Sequence, residues 1–551
     1  MAGPTEYRKT TEMTEMGPSE ENEPSSEMRS SEQKPPRMKE EFSDDDEGVP
    51  LKRSQNGKWW YATYHNVTAI VGSGVLGLPT AMVYLGWAGG TVALVLSWGI
   101  TLYTLWQMVE MYELEGQPRS STYHELGQKA FGDRLGLWIV LPQQLTVFIG
   151  ADIVYMVTGG ESLWLFYQLL RCNVFRPLKL DPVALGTGDQ CCGKTGRATF
   201  TVFFAIIQLF LAQLDGFNSI ARISLGASLM AICYCIIAAV EAGAHGVVNH
   251  EYSPPELSIN STCKTSYHIP GDTAHQVFGV FSALGILAFA YAGHNVVLEI
   301  QETLPSSKEK PSKHAMWRGV LVAYIIVAMC YFPVAILGYW AFGNVLASIG
   351  NSRRNPSNGN ILLQLGHPVG VIAAANMMVF IHVTGSYLVY AMPAFDLMEK
   401  ILVEKYHVLV LIENIFVKFR FARPTTKRSI TVTRLLTRSV YVCFTAFIAF
   451  TFPFFQDLLA FFGGVAFTPT TYFLPCIIWL RLMKPKAFTL VWFFNWFCIV
   501  LGVLLTLCAT IGGMRTIIVD SSHYKFYQLF HCHPHTTGPP PILCPKRVYF
   551  S

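Results

Sequence analysis

Apolar runs of membrane-spanning length recur along this chain, and nothing else in its sequence limits the fold as strongly. A helix needs about 20 predominantly apolar residues to cross the hydrocarbon core of a bilayer. Eleven segments meet or approach that length: residues 59–85, 87–109, 135–169, 198–214, 222–241, 276–300, 319–342, 369–398, 439–455, 458–480 and 487–512. No series of alternating strands is present, so a β-barrel is excluded. The pattern predicts an all-α polytopic membrane protein with eleven transmembrane helices. Only 14% of the 551 residues are charged, whereas soluble domains carry about 25%.

The charges that exist are segregated. Residues 1–57 mix Glu, Asp, Lys, Ser and Pro and are expected to be a disordered acidic cytoplasmic tail that cannot bury a core. Residues 58–512 form the transmembrane domain, and residues 513–551 an extracytoplasmic C-terminal tail. No apolar h-region precedes Lys58, so the first apolar run would act as an uncleaved anchor. Elsewhere the basic residues sit in short connections between apolar runs, which points to the lipid bilayer as partner and against nucleic acid.

Orientation follows from those connections. With the N-terminus in the cytoplasm, twenty Lys and Arg residues of the connections lie inside and eight outside. That is the asymmetry the positive-inside rule requires. The sequon Asn260-Ser261-Thr262 then lies in an outer loop and is a glycosylation candidate. Cys172, Cys191, Cys192 and Cys263 also fall outside, where disulfides are permitted, and a bridge from one of the first three to Cys263 would tie two outer loops. His531, Cys532, His533 and His535 lack a scaffold, and no metal site is assigned to them.

Two of the apolar runs are poor helix material. The first contains Val71-Gly72-Ser73-Gly74-Val75-Leu76-Gly77-Leu78-Pro79, and each Gly costs about 1 kcal/mol relative to Ala. Broken backbone survives in a membrane only where protein buries it or a wet cavity borders it. The sixth run contains Ala292-Gly293-His294-Asn295 and continues to Glu299. Ionisable residues in a membrane cost roughly 2.5–3.5 kcal/mol on insertion scales and mark function. Broken helices at positions one and six have the spacing of inverted five-helix repeats, whose paired breaks form a substrate site. A glycine cluster alone would fit a close helix contact equally well.

The same residues carry a family resemblance. Trp59–Gly90, Tyr123–Gln128 (YHELGQ), Ile153–Gly160 (IVYMVTGG), Phe289–Val320, Tyr387–Asp396 and Ala460–Leu480 resemble the amino acid/auxin permease family, in its plant lysine–histidine transporter-like branch. The matches are spread over residues 58–527 in the family's order. The resemblance implies eleven helices in a LeuT-type arrangement and proton-coupled symport of amino acids at the plasma membrane; a vacuolar or other endomembrane stays open. The outer loop near residues 171–198 and the tail beyond Tyr527 depart from the family's pattern.

An amino acid is a zwitterion, so its site needs an anion-binding end and a cation-binding end. The backbone N–H groups of Gly72, Ser73, Gly74 and Val75 suit the carboxylate. Carbonyls freed at Phe289, Ala290 and Ala292 suit the ammonium, with Tyr155 completing the site and Thr384 and Ser386 lining it. The coupling ion is read as H+, and no other cofactor is expected. His294 is the first candidate to carry the proton, since histidine titrates near neutral pH with little perturbation. Asp152 and Glu299 follow. No HExxH or GxSxG pattern is present, and an enzyme is not expected. Auxin-type transport, sodium coupling and a receptor that binds amino acids without moving them remain alternatives; selectivity and oligomeric state are not legible.

Overall fold

The computed structural model describes residues 57–114, 116–173, 196–214, 220–251, 265–307, 309–348, 359–365, 368–404 and 426–523. Asn260, Cys191, Cys192, Cys263, the tail to residue 56 and residues 524–551 lie outside this set, and so does the side chain of Cys172. Among the described residues all regular elements are helices. Helix α1 spans Trp59–Ile70, α2 Gly74–Met111, α3 Tyr123–Phe131, α4 Asp133–Asn173, α5 Arg197–Leu211 and α6 Ala221–Glu251. Then come α7 at Thr273–Ala290, α8 at His294–Glu302, α9 at Ser312–Phe342, α10 at Val369–Glu404 and α11 at Thr426–Thr451. Helix α12 (Phe455–Phe462) passes through two π-helical turns, Gly463–Phe467 and Pro469–Phe473, into α13 (Leu474–Met483), and α14 covers Leu490–His523.

By length and composition eight helices among the described residues can cross a bilayer, or nine if the bent pair 455–467 and 469–483 is one span. Eleven were expected, and two places account for the difference. The first apolar run is divided between the 12-residue α1 and the start of α2. Helix α2 then continues through the second run, with Gly86 (φ 68°, ψ 178°) as the non-helical residue inside it. Helix α5 has 15 residues; at 1.5 Å per residue that is about 22 Å, short of a core about 30 Å thick. Smaller boundary differences have local causes. Helix α11 stops at Thr451 because Pro453 disfavours helical backbone before it. Helix α14 runs on past 512 to His523, since the Thr516–Val519 stretch remains apolar.

The bundle is close-packed where small residues meet. Helix α3 lies on α4 with Gly127 against Gly136, and a Cβ on Gly136 would run into the Gly127 backbone. Gly285 of α7 meets Ala460 of α12 in the same way. Such contacts are the usual currency of helix association in lipid, where burial of apolar area supplies no drive. The outer surface agrees with that solvent: Trp138, Phe210, Val240 and Leu507 are exposed on α4, α5, α6 and α14. Helices α2, α4, α6, α7, α9 and α10 enclose the interior, and the first and sixth apolar runs meet there.

Candidate functional site

The chain leaves helical geometry at two places that carry glycine, Gly72–Gly74 and Gly293. Helix α1 ends at Ile70, Val71 adopts φ −77°, ψ 79°, and helix resumes at Gly74. Helix α7 ends at Ala290 and α8 starts at His294, after Gly293 at φ 148°. Only glycine adopts that φ without strain. The first N–H groups of α2 and α8 have no intrahelical partners by construction, but two groups expected to be free are not: the Gly72 N–H donates to Ile70 O at 2.9 Å, and Phe289 O accepts from the Ala292 N–H at 3.1 Å.

The two interruptions touch. A Cβ added to Gly74 would lie 2.8 Å from the Cα of Ala290, and one on Gly293 would lie 2.6 Å from Cγ1 of Ile70. Tyr331 of α9 places its hydroxyl 2.6 Å from the carbonyl of Ile70 and 2.6 Å from that of Ala290, so one proton serves the last carbonyls of both helices. Further donors reach the end of α1 from the side. Tyr390 donates to Ala69 O at 2.9 Å, Ser386 to Thr68 O at 3.1 Å, and Tyr234 to Gly72 O at 3.0 Å.

Polar atoms at these interruptions remain without partners. Ser73 Oγ, Tyr291 Oη, His294 Nδ1 and Asn295 Oδ1 are buried and unbonded. Each such group costs about 1–3 kcal/mol unless something polar meets it. Four of them lie on the two adjoining chain breaks.

Among the residues singled out from sequence, the structure brings Gly72, Gly74, Tyr155, Ala290 and Ser386 together. A Cβ on Gly72 would lie 2.9 Å from the Tyr155 hydroxyl. Ser73, Val75 and Ala292 are buried in the breaks or the first turn after them, and the Phe289 ring meets Phe467 edge-on at 4.7 Å. Thr384 is placed differently: its hydroxyl donates to Phe380 O at 2.7 Å within its own helix. The proton-carrying candidates separate. His294 turns Nε2 toward α2, 3.1 Å from Thr101 O and 3.0 Å from Thr104 Oγ1. Asp152 accepts from Tyr441 of α11 at 2.7 Å, and Glu299 is buried in α8.

Sequence reasoning missed Tyr331, Tyr234, Tyr390 and Tyr291. A tyrosine in an apolar run reads as bulk, and only the helix rotation shows where its hydroxyl points. It also missed Thr470 in the second π-helical turn, whose hydroxyl accepts from Asn295 at 3.0 Å and whose carbonyl accepts from Tyr123 of α3 at 2.9 Å. The Gly463-Gly464 pair and Pro469 were the available signal, since π turns gather at functional positions.

Comparison with known proteins bears on all of this. Residues 55–515 match the family described as transmembrane amino acid transporter protein. Lysine histidine transporter-like 1 of Arabidopsis thaliana is 47% identical over 482 residues, which cover 88% of this chain and 93% of that protein. GABA transporter 1 of the same plant is 26% identical, covering 88% of this chain and 95% of its own. A solved Na+-coupled sialic acid symporter aligns over 85% of this chain and 91% of its own at 11% identity, with a TM-score of 0.38, a likeness too slight to carry argument.

Proposed function

This chain belongs to the transmembrane amino acid transporter family, and on that premise we propose that it carries amino acids into the cell by alternating access, in symport with protons. The observation that carries this reading is the meeting of the two helix interruptions, with four buried polar atoms left unpaired around them. The N–H groups opening α2 receive the substrate carboxylate, where the helix dipole is positive. The Ala290 carbonyl shares the Tyr331 proton with Ile70 O and keeps capacity to accept from the substrate ammonium, whereas Ile70 O also accepts from the Gly72 N–H at 2.9 Å. Tyr155 stands beside Gly72 and closes the same space.

The full reading has eleven crossings, arranged as inverted five-helix repeats plus one, with the N-terminus in the cytoplasm. In it, α1 joined to the first part of α2 forms one broken crossing, and α7 joined to α8 forms the other. A proton moving inward through 100 mV gains about 2.3 kcal/mol, and each pH unit adds about 1.36 kcal/mol. Together about 3.7 kcal/mol supports roughly 500-fold accumulation. His294 is the group we assign to that proton: Nδ1 is unpaired and Nε2 is held by α2. Relatives named for lysine and histidine make those amino acids the first substrates to try.

The test is uptake of a radiolabelled amino acid panel by uptake-deficient cells expressing the full chain, at two external pH values with sodium present or replaced. Uptake that rises on acidification and ignores sodium supports the reading. Sodium-dependent uptake transfers the coupling to another ion. Binding of amino acids without accumulation makes the protein a receptor, and inhibition by indole-3-acetate makes it an auxin-type permease.

A further inference from the structure

A second group of titratable side chains lies apart from the helix breaks, where α7 and α12 begin, α14 ends and α2 turns at Gly86. Asp457 stands in the first turn of α12 and is 8% exposed. Asp520 stands in the last turns of α14 and is half-buried. The two carboxyls lie within hydrogen-bonding reach of one another, with the Thr516 hydroxyl, which donates to Gly513 O at 2.9 Å, also beside Asp457; α12 and α14 pack tightly here, with Gly513 against the Phe461 backbone. Asp457 Oδ2 receives no N–H or O–H donor from the described residues. A carboxylate only accepts hydrogen bonds, so a bond between two carboxyls requires that one keep its proton. Two carboxylates sharing a site cannot both ionise without strong repulsion.

We propose that Asp457 and Asp520 form a proton-binding site separate from the helix breaks, whose shared proton clamps α12 to α14. In the orientation proposed above, which this inference rests on, the site faces the outside and reads external pH. Asp520 is the solvent side of the pair and Asp457 the buried side. The N-terminal dipole of α12 favours negative charge on Asp457 and so opposes retention of the proton, which makes the clamp releasable.

Among the described residues the other titratable or charged side chains nearby come from α2, α7 and α14. From α2, the Tyr84 ring lies within electrostatic reach of both carboxyls, and its hydroxyl is 3.4 Å from Nε2 of His275 on α7. Asp272, which caps α7, accepts from the His275 N–H at 3.0 Å. Arg515 of α14 turns its guanidinium onto the Phe278 ring of α7 at 4.6 Å. Helix α4 meets α12 through Gly150 against Phe462, away from the pair, and the π turn at 463–467 carries no titratable side chain.

The clamp has a route to the site. Helix α12 runs directly into the π turns, where Gly463 packs against the Gly285 backbone and Phe467 against Phe289. Loss of the shared proton frees the outer end of α12 and with it the span that braces the second break. The pair is thus a positioning device for the transport cycle.

The decisive experiment follows the melting temperature of the purified full-length protein from about pH 5 to about pH 8, for wild type, Asp520→Asn and Asp457→Asn. A proton held in the folded state stabilises at low pH and is lost as pH rises, so the wild-type melting temperature should fall with rising pH. Asp520→Asn supplies an amide donor that never titrates, and its pH-dependent fall should be much smaller than in wild type. In cells the same variant should lose at least half of the change in uptake between acidic and neutral medium. An Asp520→Asn melting profile parallel to that of wild type overturns the clamp. The melting curves need no transport, so absence of uptake by the wild type would overturn only the transport reading. If Asp520→Asn fails to fold, Asp457→Asn takes its place with the same two outcomes.

Discussion

The two helix interruptions occupy matching positions in their spans and are built from opposite materials. The first, Val71-Gly72-Ser73, offers almost no side chain; its glycines let the Tyr155 hydroxyl and the Ala290 backbone come within contact of the main chain. The second, Tyr291-Ala292-Gly293, uses one glycine for a backbone conformation other residues avoid and then presents Tyr291, His294 and Asn295 in quick succession. On the proposed reading the first break is a backbone site, suited to the carboxylate common to all amino acids, and the second a side-chain site, where protonation and selectivity would have groups to act on. Substitutions in the first should remove transport altogether, and those in the second should change its terms.

The largest effect is expected at Gly74. A valine there would place Cβ 2.8 Å from the Ala290 Cα and force the two breaks apart. Gly74→Val should abolish uptake, while Gly99→Val, at a position with open space around it, should leave uptake near wild type. Surface biotinylation of both variants separates loss of transport from loss of protein. Normal uptake by a well-expressed Gly74→Val protein would remove the first break from the site.

Tyr331 comes next, because it joins the breaks. Tyr331→Phe keeps the ring beside Tyr291, whose centroid is 5.2 Å away, and deletes the hydroxyl shared by Ile70 O and Ala290 O. A buried carbonyl left without its donor costs about 1–3 kcal/mol, so uptake efficiency should fall roughly tenfold, a factor worth about 1.4 kcal/mol. Saturation curves for one radiolabelled substrate check this; an unchanged curve would mean that the bridge forms in only one stage of the cycle.

How much of this could be read beforehand depends on the kind of residue. Gly72, Gly74 and Gly293 were legible because glycine in an apolar run violates helix propensity, and the violation needs a cause. Tyr155 was legible for a weaker reason, its position one turn after Asp152 on the third apolar run. The direction of each side chain was not legible. Thr384 and Ser386 are two residues apart on α10, yet one hydroxyl serves its own helix and the other reaches Thr68. The eleven crossings are not recovered as eleven separate helices among the described residues for a physical reason too: α2 stays helical through two runs because Gly86 turns it without ending it.

At the second break the expected change is in pH response. Uptake at fixed membrane voltage should rise as the outside is acidified and then saturate. His294→Gln retains an amide donor for Thr101 O, so the local structure should stand, but the side chain no longer titrates. The variant should lose most of the acid stimulation and accumulate substrate only to a few-fold gradient. Uptake reduced equally at every pH would assign His294 a purely structural role and move the proton to Asp152 or Glu299.

The smallest expected difference lies within α10, between two hydroxyls that sequence treats alike. Ser386 donates to Thr68 O, in the last turn of α1, and its oxygen is 3.2 Å from Nε2 of His382, whose Nδ1 faces Ala227 O at 2.9 Å. That chain of contacts ties α1, α10 and α6 just before the first break. Thr384 spends its proton on Phe380 O, four residues back, as hydroxyls in helices commonly do. Ser386→Ala should therefore weaken uptake about two- to fivefold, consistent with one net hydrogen bond of about 0.5–1.5 kcal/mol. Thr384→Ala should change it by less than a factor of about two, since a surface-like back-bond contributes little. Ser386→Ala keeps side-chain volume close to wild type and Thr384→Ala also loses a methyl group, so surface biotinylation of both variants separates transport from folding. A Thr384→Ala defect equal to that of Ser386→Ala would mean that α10 rotates during the cycle and turns Thr384 toward the substrate in the other state.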